Sequence, residues 1–346
     1  MNADVLRIID ANTNRAREAL RVIEDYARFA LDDRAAAAAV KRCRHDLRQV
    51  VADLDPAGLL AARDIGGDVG RDVKTAGELH RAAPEEVVRA AFARLSEAAR
   101  SLGEYGKLVS APAAAAAETL RYAAYELEQR IVLRGTLRHR FRGVRLYVLL
   151  TESLCRQPWL ETAHAVLHAG AGCLQLREKQ LADAELLRRA QQLRELTARH
   201  GALLAINDRP DIARLAGADI VHVGQDDLSV ADARRIAGTG LLVGKSTHTP
   251  EQFAAALAEQ PDYLAVGPMF PSETKPQEHI AGPDTLRAVR SQTELPLVAI
   301  GGVTTASAAE LRRAGADCLC ACTAIISATD PAAAATALLA AAEEHA

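Results

Sequence analysis

Cys173-Leu174-Gln175-Leu176-Arg177-Glu178-Lys179 decides how the second half of the chain folds. Its first four residues form a short apolar run of the kind that makes a buried strand. Extended backbone sends alternate side chains to the same side. Gln175, Arg177 and Lys179 are therefore expected to point one way, and Leu176 and Glu178 the other. An amide donor and two cations at the end of a strand suit a polyanion such as a diphosphate. By itself the stretch also fits a solvated strand end with ordinary surface charge, so the surrounding rhythm has to decide.

That rhythm is regular. Short apolar runs fall at 145–150, 173–176, 202–206, 219–223, 241–243, 263–266, 297–300 and 317–321. Helical stretches separate them, and 330–344 supplies one more after the last run. Eight strand–helix repeats in about 200 residues predict a (β/α)8 TIM barrel. A doubly wound sheet is the alternative, but no Gly-x-Gly-x-x-Gly loop follows the first run.

Barrels of this kind carry their chemistry at the C-terminal ends of the strands. Polar residues gather there: Gln175, Arg177 and Lys179 after the second run, Asn207 and Asp208 after the third, and Gln225 to Asp227 after the fourth. Lys245 to Thr249 follow the fifth, Ser272 to Lys275 the sixth, Gly301-Gly302 the seventh and Cys322-Thr323 the eighth. Asp208 and Asp227 follow neighbouring strands, which lie ~4.8 Å apart in a sheet. Two carboxylates so placed can hold one Mg2+, with water and phosphate oxygens completing its shell. Either acid alone fits a helix cap or an ion pair equally well. Gly301-Gly302 and Cys322-Thr323 stand where barrels commonly hold a monophosphate on backbone N–H groups. A glycine pair also marks a plain turn.

Residues 1–135 read differently. Helical patterns run over 4–31, 34–54, 84–107 and 113–133, which predicts an all-α bundle. In the first, Val5, Ile8, Ile9, Leu20, Ile23 and Ala27 supply an apolar stripe. Asn14, Arg17, Arg21, Glu24 and Arg28 line another face, either solvated or facing an anion. Arg63 to Arg71 is a glycine-rich stretch flanked by arginines, fit for a flexible turn or an anion cradle. The basic segment 136–143, between Gly135 and Gly143, is expected to break the helix as a linker to a barrel spanning 144–346.

A hydrophobic content of 49% and a charged content of 25% are those of a globular protein. The formal charge of −3 and the 3% aromatic content give no footprint for nucleic acid or an anionic membrane. No apolar run reaches the ~20 residues that span a bilayer. The N-terminus carries Asp4 and Arg7 within a helical pattern, unlike a secretory leader, so a cytoplasmic location is expected. Cys318, Cys320 and Cys322 alternate on one run with no histidine partner and read as small interior residues.

Taken together, Gln-Leu-Arg-Glu-Lys, Asn-Asp-Arg, His-Val-Gly-Gln-Asp-Asp, Ser-Thr-His-Thr, Val-Gly-Pro-Met-Phe-Pro-Ser-Glu-Thr-Lys-Pro and Ala-Ile-Gly-Gly-Val resemble the thiamine-phosphate synthase family, in the family's order. The resemblance implies a transferase of thiamine biosynthesis. It would join hydroxymethylpyrimidine diphosphate to thiazole phosphate and release diphosphate. It implies that Gln175, Arg177, Glu178, Lys179 and Asn207 bind the pyrimidine diphosphate, and that Ser246 holds the pyrimidine end. It implies Mg2+ on Asp208 and Asp227. Ser272, Thr274, Lys275, Gly302, Cys322 and Thr323 would surround the thiazole phosphate, with Arg177, Lys179, Ser246 and Lys275 as the catalytic set. Three positions depart from the family: Ser272 and Thr323 exchange one hydroxyl residue for another, and Lys245 places a charge near the pocket.

Residues 10–25, 45–48 and 63–70 are similar to a domain often fused ahead of this synthase. That domain is associated with phosphorylating hydroxymethylpyrimidine phosphate, which implies ATP at the helical domain, although no Walker loop is present. Two alternatives are a thiazole tautomerase on the same barrel, and a non-catalytic binder of thiamine intermediates whose helical domain serves dimerisation or regulation. The first has no use for the diphosphate and metal residues. A homo-oligomer stays open.

Overall fold

The computed structural model describes residues 2–31, 33–52, 54, 56–64, 66, 80–238, 240–271 and 280–343. It divides into two compact units, Met1–Thr136 and Leu137–Ala346. Ser272, Thr274 and Lys275, and the glycine-rich stretch from 67 onward, lie outside the described residues.

The first unit is helical among the described residues: α1 (Ala3–Phe29), α2 (Arg34–Ala52), α3 (Pro56–Ala61), α4 (Pro84–Gly106) and most of α5 (Ala111–Arg142). Asn2 caps α1 by accepting from Asp4 N at 2.9 Å. The stripe of α1 that is buried comprises Leu6, Ile9, Ala16, Leu20, Ile23 and Ala27, and it packs with Val88, Phe92 and Leu95 of α4. Val5 and Ile8 are only half-buried.

The expected break at 136–143 does not occur, because α5 continues to Arg142. Gly135 sits inside this helix for proximity rather than to end it: a Cβ there would lie 2.4 Å from Tyr26 Oη. The last turns of α5 belong to the second unit. Phe141 is buried and stacks on Tyr263, centroid to centroid at 4.4 Å. Arg138 donates to Asp262 Oδ1 at 2.7 Å.

The second unit is a closed parallel barrel in the order β1 (Leu146–Leu150), β2 (Cys173–Leu176), β3 (Leu203–Asn207), β4 (Ile220–Val223), β5 (Leu242–Thr247), β6 (Tyr263–Val266), β7 (Leu297–Ile300) and β8 (Cys318–Ala321). Strand β8 pairs back onto β1, Leu319 opposite Leu146. Helices α6 (Trp159–His168), α7 (Asp183–Arg199), α8 (Pro210–Ala216), α9 (Val230–Ala237), α10 (Pro250–Glu259), α11 (Gly282–Arg290), α12 (Thr305–Arg313), α13 (Thr323–Ile326) and α14 (Pro331–Glu343) follow the strands. Alternation divides each strand between two cores. Outward residues such as Val148, Leu174, Leu204, Val221, Val243 and Leu264 pack under the helices. Inward residues such as Tyr147, Cys173, Ala205, Ile220, Leu242, Tyr263, Val298, Cys318 and Cys320 fill the interior.

The strand entrances share one device. Asp219, Asp262 and Asp317 each stand just before a strand and accept a backbone N–H from its neighbour: Leu204 N, Val243 N and Leu297 N, at 2.9, 2.9 and 2.8 Å. Each also pairs with an arginine, namely Arg194, Arg234 and Arg290. This is why β4 and β8 begin one residue later than the apolar pattern suggests. Among the described residues no helix is long and apolar enough to cross a membrane.

Candidate active site

The interior of the barrel is polar near its C-terminal mouth. Gln175, 3% exposed, donates from Nε2 to Tyr147 Oη at 2.7 Å. Tyr147 Oη lies 3.2 Å from Tyr263 Oη, which lies 2.8 Å from His222 Nδ1. His222 Nε2 is 2.8 Å from Ser246 Oγ. This continuous chain links Gln175 on β2 to Ser246 on β5 through the interior. Burial lowers the His222 pKa to about 4, so its ring is neutral at pH 7. Burial likewise holds both phenols well above their ordinary range. Gly244 makes room for the Tyr263 ring, since a Cβ there would lie 2.1 Å from its Cζ.

Asn207 ends β3 opposite His222. The next residue, Asp208, has φ of 61°, a left-handed conformation that aspartate tolerates at some cost. Its N–H donates to His222 O at 2.8 Å, which fixes the backbone. Its carboxyl group lies near that of Asp227, close enough for the second acid to act on its pKa, and 3.6 Å from Lys179 Nζ. Burial and the second carboxylate push the Asp208 pKa up to about 6, against the pull of Lys179. Asp227 is held in turn by Gly224 N, 2.7 Å from its Oδ2. A side chain at 224 would crowd that oxygen, a Cβ coming within 2.9 Å. Acids from two adjoining strands thus meet beside a lysine.

Arg177 is half-buried at the mouth, near enough to Cys322 for its charge to oppose the rise that burial causes in that thiol's pKa. Cys322 follows β8 and Thr323 opens α13. Gly301 and Gly302 have φ of 91° and 67°, and a Cβ on them would lie 2.6 Å from Pro268 Cβ and 2.7 Å from Phe270 Cβ. The pair lets the segment after β6 fold across the end of β7, with Phe270 N donating to Gly301 O at 3.0 Å.

Two expectations are redirected. Glu178 faces the turn after β1, where its Oε1 accepts from Glu152 N at 2.6 Å. Lys245 is 4% exposed and points away from the mouth to Glu259, 3.6 Å distant. Tyr147 and Tyr263 were not singled out from the sequence, and His222 was noted only as part of the polar run leaving β4, with no role of its own. Their signal was a large polar ring at an inward position of an apolar run.

Gathered at the C-terminal mouth of a parallel eight-stranded barrel, paired acids, two cations and a fixed polar interior mark the candidate active site of a barrel enzyme. Comparison with known proteins narrows the class. A family model described as thiamine monophosphate synthase matches residues 146–325, and a second, described as the ThiD2 family, matches 7–130. Thiamine-phosphate synthase of Gloeobacter violaceus is 40% identical over 327 residues, 94% of each chain. That of Thermosynechococcus vestitus is 40% identical over 328 residues, covering 94% of this chain and 91% of the relative. The solved thiamine phosphate pyrophosphorylase from Pyrococcus furiosus superposes with a TM-score of 0.55 at 31% identity, covering 60% of this chain and 98% of that one. The chain belongs to the thiamine monophosphate synthase family, and it is a transferase.

Proposed function

We propose that the barrel joins hydroxymethylpyrimidine diphosphate to thiazole phosphate at this mouth, with one Mg2+ held by Asp208 and Asp227. The meeting of these two acids beside Lys179 carries the reading. Two carboxylates in contact repel one another unless a proton or a cation lies between them. Among the described residues no group of three or more His, Cys, Asp and Glu converges, and a pair of acids with open positions suits Mg2+ better than a softer metal. The bound ion would supply charge neutralisation for the leaving diphosphate.

The chain's own groups do the rest. Arg177 and Lys179, with Lys275, receive the negative charge that develops on the diphosphate. Gln175, Asn207 and Ser246 hold the pyrimidine, the first and last already fixed by the interior chain. As the carbon–oxygen bond breaks and diphosphate leaves with its electron pair, an electron-rich pyrimidine can support the positive charge left on the methylene carbon, to which the thiazole nitrogen bonds. The thiazole nitrogen then needs position more than a base. Gly302, Cys322 and Thr323 are placed to hold the thiazole phosphate, a role the family resemblance also gives to Ser272 and Thr274. Asp208→Ala or Asp227→Ala is expected to remove most synthase activity in saturating Mg2+. Near-normal turnover in either refutes the metal assignment.

For the helical unit we propose ATP-dependent phosphorylation of the pyrimidine monophosphate, which would make the barrel's substrate. The match over 7–130 supports this, and so does the meeting of separated motif residues. Arg63 grips Asp10 through two hydrogen bonds of 2.7 Å, and Arg17 donates to Asn14 at 3.0 Å. Glu24, 1% exposed, pairs with Arg44 from α2. A separate cleft of about 500 Å3 beside α1 and α4 is lined by Val22, Asp25, Pro84 and Val88 and by none of these motif residues. We place the reactions in the cytoplasm, in keeping with six unpaired cysteines.

A further inference from the structure

An acid between two cations is an odd component of a diphosphate pocket, since its charge opposes the ligand's. The surroundings of Glu178 resolve this. The strand-end segment is strapped to the turn after β1 by three bonds. Arg177 N donates to Leu150 O at 2.9 Å, Thr151 Oγ1 donates to Arg177 O at 2.8 Å, and Glu152 N donates to Glu178 Oε1 at 2.6 Å. The first two fix the main chain of Arg177. The third ties the one side chain that stands between Arg177 and Lys179.

The turn itself, a single 3-10 turn at Glu152–Leu154, is a firm abutment. Arg189 of α7, 9% exposed, donates to Glu152 Oε2 at 2.8 Å and to Glu185 Oε1 at 2.7 Å, with its guanidinium 4.9 Å above the Trp159 ring. On the other side Arg156 N donates to Ile326 O at 3.0 Å and Ser327 Oγ to Leu154 O at 2.7 Å. The turn is thereby joined both to the segment with Arg177 and Lys179 and to α13, which begins at Thr323. Beyond Leu176 the chain leaves the sheet until α7 begins, so Lys179 has no strand pairing of its own. Its ammonium lies 3.6 Å from a carboxylate oxygen of Asp208, itself at the mouth.

The geometry points to Glu178 as a positioning residue: it turns away from the substrate and, braced on the turn after β1, holds Arg177 and Lys179 in place for the diphosphate. This rests on the assignment of those two cations proposed above. What the brace needs from position 178 is a hydrogen-bond acceptor, not a charge, and that separates it from any direct role.

The test is steady-state kinetics of the full chain in Mg2+ with both substrates, and with inorganic diphosphate as product inhibitor. Misplaced binding groups commonly cost between ten- and a hundredfold. Glu178→Ala is expected to raise KM for the pyrimidine diphosphate, and Ki for inorganic diphosphate, each about tenfold, and to leave KM for thiazole phosphate within about twofold. Glu178→Gln keeps an acceptor oxygen and is expected to restore both constants to within about twofold of the parent. Thr151→Val, which removes the neighbouring strap, should shift them in the same direction as Glu178→Ala. Wild-type constants in Glu178→Ala, or equal impairment in Glu178→Gln, overturn the proposal. Should Arg177→Ala leave inhibition by inorganic diphosphate unchanged, the assignment of the cations falls and the inference falls with it.

Discussion

At the scale of single residues, the mouth of the barrel sets two titrating groups against each other. His222 has its pKa lowered from 6.5 to about 4 by burial, so acidification protonates the unfolded chain first and stability falls as pH drops from 6.5 through 4. Asp208 has its pKa raised from 3.8 to about 6, so its contribution is fully present below 3.8 and is lost as pH rises through 6. The histidine's share is on the order of 3 kcal/mol. The two run in opposite directions over nearly the same window, which predicts a shallow profile for the metal-free protein. Asp208→Asn should steepen the loss of stability on acidification, and His222→Asn should reverse it, as read from denaturant midpoints between pH 4 and 7. Identical slopes in both variants would show that these shifts do not govern the profile. Residue identities at the mouth were legible because acids, amides and cations at strand ends stand out from apolar runs. Their orientation was less so. Strict alternation put Arg177 and Lys179 on one side, but β2 ends at Leu176, and the left-handed backbone of Asp208 has no signature in a single aspartate.

Elements were legible where they were chemically pure. Strands β2, β6 and β7 coincide with their apolar runs because both faces are buried. The apolar run behind β5 ends at Val243, yet the strand itself goes on through Gly244-Lys245-Ser246-Thr247. It continues because each of its first three finds a place: Gly244 against a ring, Lys245 on Glu259, Ser246 on His222. The glycine-bounded segment after α5's core was read as a linker because glycine usually interrupts helices. A close approach to Tyr26 answers for that glycine instead. The clamps at the strand entrances give a prediction at this scale. Asp262, whose side chain is fully buried, serves Arg138, Arg234 and Val243 N together. Asp262→Ala removes the buried acceptor shared by two partly buried arginines and a strand N–H, a change expected to cost about 3 kcal/mol, the low end for a broken buried pair. For a barrel of this size the melting temperature should fall by roughly 6–12 °C. The site lies at the opposite end of the strands from the clamp, so turnover per folded molecule at low temperature should stay near the parent's. A large loss of turnover with an unchanged melting temperature contradicts the separation of stability and chemistry between the two ends.

At the scale of the whole molecule, the relatives that match across 94% of the chain carry both units, so the pairing is itself an observation to explain. A unit that phosphorylates the pyrimidine monophosphate and a barrel that consumes the diphosphate would share one intermediate. The full chain, given the pyrimidine monophosphate, thiazole phosphate, ATP and Mg2+, is then expected to form thiamine phosphate. Omission of ATP should abolish product, and supply of the pyrimidine diphosphate in place of the monophosphate should restore it without ATP. Arg63→Ala, which releases Asp10 in the helical unit, should depress the ATP-dependent reaction at least about tenfold and leave the diphosphate-supplied reaction unaltered, because the residues proposed for the synthase reaction all belong to Leu137–Ala346. Product from the diphosphate alone, with none from the monophosphate under any condition, would leave the barrel's chemistry standing and remove the kinase reading. The helices would then act as a structural or regulatory partner to a synthase that draws its substrate from elsewhere.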